Sequence, residues 1–334
     1  MNEMSKTVEE VKKYKTEEVT MKDGSKLLRI IALRDIETTR GVIIRGEPGG
    51  LIAHEECLSQ YGDCWVEYNA KVLDDARVRD DAQIFGNAMV ADNATIYDQV
   101  EISGNAVVMN KAHVSGRASI YDNARVCGTS HVGGYAKVYG NAVVGNDASV
   151  SMHATIRGFA KVLGISKVLG HAIVEGTSAI CGDAEISENA IITANGGKYN
   201  KIQTGRFGIN AYIDGKAIDF VVAGPFGSRD DMTTVYYTKN GLYVYCGCFN
   251  DPIEDFAHAV ELTHGRDKIH SYYRDYNEFI SFAMSILHRH HVEGHVDEIT
   301  DIKDESLMPI ITARQCATEE ASSEPCNGVD SEAR

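Results

Sequence analysis

A valine or isoleucine returns at every sixth position from Val66 to Ile192 without one slip, twenty-two times in all. The series begins Val66, Val72, Val78, Ile84, Val90, Ile96 and keeps the same step to Val174, Ile180, Ile186 and Ile192. A period of six matches neither the 3.6 residues of a helical turn nor the alternation of an isolated strand, so the stretch is a repeat architecture. Each unit of such an array buries its apolar side chain only against its neighbours.

Two residues before each aliphatic sits a small residue, alanine in most hexads, with Cys64, Val100, Ser130, Ser166 and Ser178 as the departures. Positions two apart on a strand share a face, so the aliphatic and the small residue both point inward. Two residues after the aliphatic come Asp74, Asp80, Gly86, Asp92, Asp98, Gly104, Asn110, Gly116 and their like, residue types that tolerate the backbone of a tight corner. Three hexads make one triangular coil. The strict period therefore predicts about seven coils and, at ~4.8 Å per rung, a prism of roughly 35 Å.

The pattern resembles the hexapeptide-repeat, left-handed parallel β-helix superfamily. That resemblance implies a mainly β fold with left-handed winding, an exception to the usual right-handed crossover. It also implies trimerisation, common in that superfamily, and raises an acyltransferase alternative. The segment from Leu28 through Gly49-Gly50 to Trp65-Val66 resembles leaders that precede such repeats in uncharacterised phage and prophage proteins. Residues Gly224 to Arg229, Cys246 to Phe249 and His264-Gly265 resemble an α+β module that follows them.

The predicted organisation is an N-terminal cap over 1–62, the left-handed β-helix over 63–194, an α+β C-terminal domain over 195–310 and a disordered acidic tail over 311–334. Residues 5–15 read as a short helix, and Asp23-Gly24 as the turn of a hairpin. A solenoid end exposes an open strand edge and an apolar core, so a cap is required there. After Asn195-Gly196-Gly197 the period vanishes. Ala217–Val222 and Thr233–Tyr237 read as strands. A helix follows with Asp251 as cap, Pro252 at its first position and Gly265 as its stop; a longer one spans about 268–290.

A formal net charge of −15 argues against nonspecific nucleic-acid binding, which depends on Lys and Arg neutralising phosphates. No stretch approaches the ~20 apolar residues of a membrane span, and Met1–Lys15 lacks the apolar core of a signal peptide. The eight cysteines show neither a disulfide framework nor a CxxC pair. The expectation is a soluble, cytoplasmic protein of a bacterium or infected host cell, with no cofactor and no metal.

Hexads eighteen residues apart share a face, and one face displays Leu73, Met89, Val107, Met109, Val143 and Leu163 outward. Such an apolar strip is larger than a monomer normally leaves wet, which predicts self-association as a trimer or docking of the C-terminal domain. A second face is polar and carries His113 and His131 one coil apart, so their rings are expected about 5 Å apart. His153 and His171 form a like pair at a corner.

If the chain were a hexapeptide acyltransferase using acyl-CoA, His113, His131 or His153 would deprotonate the acceptor. Against that reading, no loop interrupts the hexads to build a cleft. The irregular stretch with Gly227, Ser228 and Arg229, joined by Thr233, Thr234 and His264, brings backbone amides and a cation together as an anion site. The leading reading is a non-catalytic oligomeric binding or scaffold protein, plausibly phage-encoded, sequestering a small anionic metabolite or signalling nucleotide.

Overall fold

The structure, a computed structural model, describes residues 12–194, 201–214, 219–226, 230–238, 240–265 and 271–292. Five strands open it: β1 (Tyr14–Thr20), β2 (Lys26–Ala32), β3 (Ile36–Thr38), β4 (Gly41–Ile43) and β5 (Pro48–Ile52). After a 3-10 turn at Glu55–Cys57, two-residue strands β6 to β27 run from Trp65–Val66 to Ile191–Ile192, one per hexad. Each ends on the periodic valine or isoleucine, and every one of those side chains is fully buried. At ~1.5–3 kcal/mol for each aliphatic taken out of water, this column is the main source of stability.

Between Trp65 and Ile192 the strands pair in parallel at a spacing of eighteen residues, as Val90 does with Val72 and Val108. The result is three sheets around one apolar core, the parallel β-solenoid that the hexads predict. The corners follow the sequence as well. Asp74, Asp92 and Asn110 adopt φ of 52°, 58° and 62°, in the left-handed region where short polar side chains are tolerated. Asp74 accepts a hydrogen bond from the Asp92 amide (3.1 Å), Asp92 from the Asn110 amide (2.9 Å) and Asn110 from the Gly128 amide (3.2 Å). These side chains therefore tie coil to coil. Met152 (φ 61°) and Glu188 (φ 54°) hold the same conformation without that chemistry and carry local strain.

The small inward position has its own rule. The Ser130 hydroxyl donates to the Cys127 carbonyl (2.8 Å) and that of Ser166 to the Leu163 carbonyl (2.7 Å), whereas the buried Ser178 hydroxyl has no partner among the described residues. Ser178→Ala should therefore raise stability by about 1 kcal/mol, and Ser130→Ala should lower it by a similar amount. Urea unfolding curves of the two variants check the opposite signs; equal shifts in one direction would contradict the assignment.

The coil is longer than the strict period. At the front, β5 enters the first sheet in parallel through Leu51↔Lys71 and Ile52↔Val72, and Leu58 bridges Val78. At the back, β28 (Lys201–Ile202), β29 (Arg206–Phe207) and β30 (Tyr212–Ile213) continue the three ladders. The third sheet alone has nine strands, so there are about nine turns rather than seven. Spacing hides the extra rungs: ten residues separate Ile192 from Ile202, and five separate Ile202 from Phe207.

Both ends are covered. At the front Tyr14, Ile30, Ile36, Leu58 and Trp65 fill the opening, and the Tyr14 hydroxyl donates to the Leu58 carbonyl (2.7 Å). Tyr14 thus belongs to a strand, not to the short helix expected over 5–15; residues 5–11 lie outside the described residues. The β3–β4 hairpin folds along the side of the solenoid, where Arg40 lies 4.2 Å over the Phe85 ring and pairs with Glu67 (2.9 Å).

The back end meets an antiparallel sheet of β31 (Phe220–Phe226), β32 (Asp231–Thr238), β33 (Gly241–Cys246) and β34 (Phe249–Pro252), backed by α1 (Ile253–His264) and α2 (Ser271–Val292). Alternation along β32 divides its contacts. Tyr236 packs beside Phe207 of the last coil, while Val235 joins the core with Phe256, Phe279 and Leu287 of the helices. Pro252 is the N-cap of α1 rather than its first residue, and Gly265 is the C-cap as expected.

Candidate functional site

The polar face is the second sheet. His113 and His131 stand in register on neighbouring rungs, His113 exposed and His131 half-buried. Burial first, and the neighbouring His113 second, hold the His131 imidazole below its usual range. Gly133 leaves the room its ring occupies: a Cβ there would lie 2.8 Å from His131 Nε2 and 3.2 Å from Ser115 Oγ. A neutral imidazole is a competent base. It stands, however, on a flat ladder of two-residue strands with no loop inserted between Trp65 and Ile192.

His153 belongs to a different feature. Its ring stacks on His171 at 4.7 Å and on Tyr135 at 4.9 Å, each nearly parallel, and Arg117 lies 5.7 Å from the Tyr135 centroid. One side chain per coil makes this exposed corner column, which eighteen-residue spacing alone would have revealed in full. It separates His153 from the His113–His131 pair, so the three histidines do not converge on one centre.

The expected anion site is not assembled by the described residues. Thr233 and Thr234 are fully buried, and as neighbours on a strand they point to opposite sides. Thr233 donates to Cys246 Sγ (3.2 Å) on the helix side, and Thr234 Oγ1 accepts the Arg206 amide (3.0 Å) at the last coil. Phe226 lies on β31 within the aromatic core, 5.3 Å from Phe279 and 5.6 Å from Tyr276. Gly227, Ser228 and Arg229 lie outside the described residues.

His264 does line a cavity. Together with Cys246, Cys248, Phe249, Phe256, Val260, Thr263 and Tyr276 it encloses about 220 Å³ between the β33–β34 turn and the two helices. That turn pairs Cys246 with Phe249 across two residues, and Gly247 takes φ 61° at its first central position, where a glycine is favoured in hairpins. The walls are mainly apolar, with an imidazole, two thiols, a hydroxyl and a phenol as the polar groups. A second, open hollow at a solenoid corner is lined by Asp74, Asp75, Asp92, Asn93, Asn110 and Lys111. Asp74 and Asp92 there already accept amides of the next coil, which assigns them a structural task.

The apolar face is the outer side of the first sheet, and it resolves into two columns. The strand residues Lys71, Met89, Val107, Arg125, Val143 and Lys161 stack in register, three apolar rungs interspersed with three cationic ones. The column beside them is Leu73, Ala91, Met109, Cys127, Gly145, Leu163 and Cys181, with no charge in seven rungs. Leu73, Met109 and Leu163 are half-buried, because neighbours one rung apart shield one another.

Fold and surface together define a parallel β-solenoid protein with a closed apolar core. The family model described as the YdcK beta solenoid repeat matches residues 82–98, about one coil, so the chain is similar to that repeat over this span. No curated protein matches the chain. Among the described residues, no helix is long and apolar enough to cross a membrane, and no group of three or more His, Cys, Asp or Glu side chains is arranged to hold a metal.

Proposed function

We propose that the protein is a non-catalytic scaffold of the hexapeptide-repeat type, left-handed and cytoplasmic, that trimerises through its first sheet and holds C-terminal modules on rigid prisms. The observation that carries this reading is the uncharged column from Leu73 to Cys181, straight and seven rungs long on a flat face. Three flat apolar columns pack well about a threefold axis parallel to the prisms, since every rung of one prism finds a rung of its neighbours at the same spacing. Phage origin rests on the resemblance of the leader and the C-terminal module.

The C-terminal cavity is the concave place for a small ligand, and its phenylalanine and valine walls with His264 at hand favour a compact, largely apolar molecule. The anionic metabolite or nucleotide reading now rests on Gly227, Ser228 and Arg229. The acyltransferase alternative has a neutral imidazole in its favour and a flat, uninterrupted face against it.

A thiol-release assay with acetyl-CoA and a panel of amines and amino sugars should stay at background. Turnover that disappears in His113→Ala or His131→Ala protein would replace the scaffold reading by an acyltransferase.

A further inference from the structure

Lys13 is a lysine with no solvent exposure, held where the N-terminal segment meets the first coil. Its Nζ reaches the Cys64 carbonyl (2.8 Å), the Tyr61 carbonyl (3.4 Å) and Cys64 Sγ (3.0 Å). Its backbone amide donates to Gln60 Oε1 (2.8 Å), which fixes the start of the side chain as well as its end. Cys64 occupies the small inward position that alanine fills in most hexads, and it too is fully buried as a thiol.

An alanine would close the corner equally well, and the two carbonyls alone would seat an amine. Neither requirement explains why a sulfur stands in contact with the nitrogen. Burial, the largest cause in each case, pushes the Lys13 amine down and the Cys64 thiol up, so both move toward their neutral forms, in which the nitrogen carries a lone pair. Two nucleophilic atoms in contact, dry and immobile, are arranged for joining by an oxidant small enough to enter a packed interior.

We propose that Lys13 and Cys64 form an oxidative cross-linking site, in which a single oxygen atom bridges Nζ and Sγ and ties the N-terminal segment covalently to the first coil. With dioxygen as oxidant the step balances. One N–H, one S–H and the O–O bond break, and one N–O and one O–S bond form. Nitrogen and sulfur each lose two electrons, and the two oxygen atoms gain two each. The second oxygen leaves as water with the two released protons. The bridge closes a loop between residues 51 apart in sequence, which restricts the unfolded chain far more than the folded one. Reduction by a thiol or phosphine reverses it, making the front cap a redox-responsive clasp.

The test uses the full-length protein, held under air or oxygen and compared with a sample kept reduced. The expected product is heavier by about 14 Da, one oxygen gained and two hydrogens lost, and returns to the starting mass with a phosphine. Proteolysis should yield one species joining the peptides of Lys13 and Cys64. The unfolding midpoint should rise on oxidation in wild type and stay put in Cys64→Ala and Lys13→Arg. Peptide mapping of wild type decides the matter even if a variant fails to fold. Cys64 recovered as an unchanged thiol, or as its own sulfinic or sulfonic acid with Lys13 unlinked, would overturn the proposal.

Discussion

Trp65→Ala should cost about 3–5 kcal/mol of stability, the usual range for emptying a packed indole site. Trp65 is 1% exposed and is the largest of the fully buried side chains. It sits at the mouth of the first coil against Gly49, where even a Cβ on the glycine would come within 2.6 Å of the indole. Neighbours this tight cannot collapse into the space, because Gly49 and Gly50 belong to β5, which is hydrogen-bonded into the first sheet. The loss also opens a strand edge and the end of the aliphatic column to water. Urea unfolding followed by tyrosine fluorescence should show the midpoint falling steeply. A shift below ~1 kcal/mol would mean that the front of the solenoid closes without the indole.

Met109→Glu should dissociate the assembly while leaving the coil folded. Met109 is near the middle of the uncharged column, on the outer side of the first sheet, and touches none of the inward aliphatics by its position in the hexad. A carboxylate there must be dried at the seam between subunits, where leaving a charge unpaired costs roughly 3–5 kcal/mol. Sedimentation velocity should record a fall to the monomer value with the far-ultraviolet circular dichroism unchanged. An unaltered sedimentation coefficient would instead assign the face to the C-terminal part of the chain or to no partner.

The solenoid could be read from the sequence because one physical requirement repeats in every unit. Val66 to Ile192 all point inward, and Asp, Asn or Gly recurs where the backbone turns left-handed. The outermost coils could not be read in this way. Phe207 replaces the aliphatic because the last coil faces Phe220 and Tyr236 of a sheet instead of another coil, and a wider gap needs a larger side chain. The spacing around Ile202 is also free to change, since among the described residues β28 ends its sheet and nothing stacks beyond it in register.

Site residues were harder for a different reason. Gly224 to Arg229 looks irregular in sequence, but Phe226 is drawn into a strand by aromatic packing, and Thr233 and Thr234, expected on the strand that follows, are sent to opposite sides by its alternation. His264 ends α1, as the stop at Gly265 predicts, yet its cavity depends on Phe249, Phe256 and Tyr276 arriving from three elements, which no local pattern announces. The Lys13–Cys64 contact joins residues 51 apart and had no sequence signal beyond Cys64 standing where alanine belongs.

Self-association of the wild-type chain is the most direct test of the proposed scaffold. Native mass spectrometry of protein purified gently from cells reports subunit number and any retained ligand together. The expected result is a species at three times the 36.5 kDa of the chain, stable on dilution into the low micromolar range. A 36.5 kDa monomer at every concentration would contradict it.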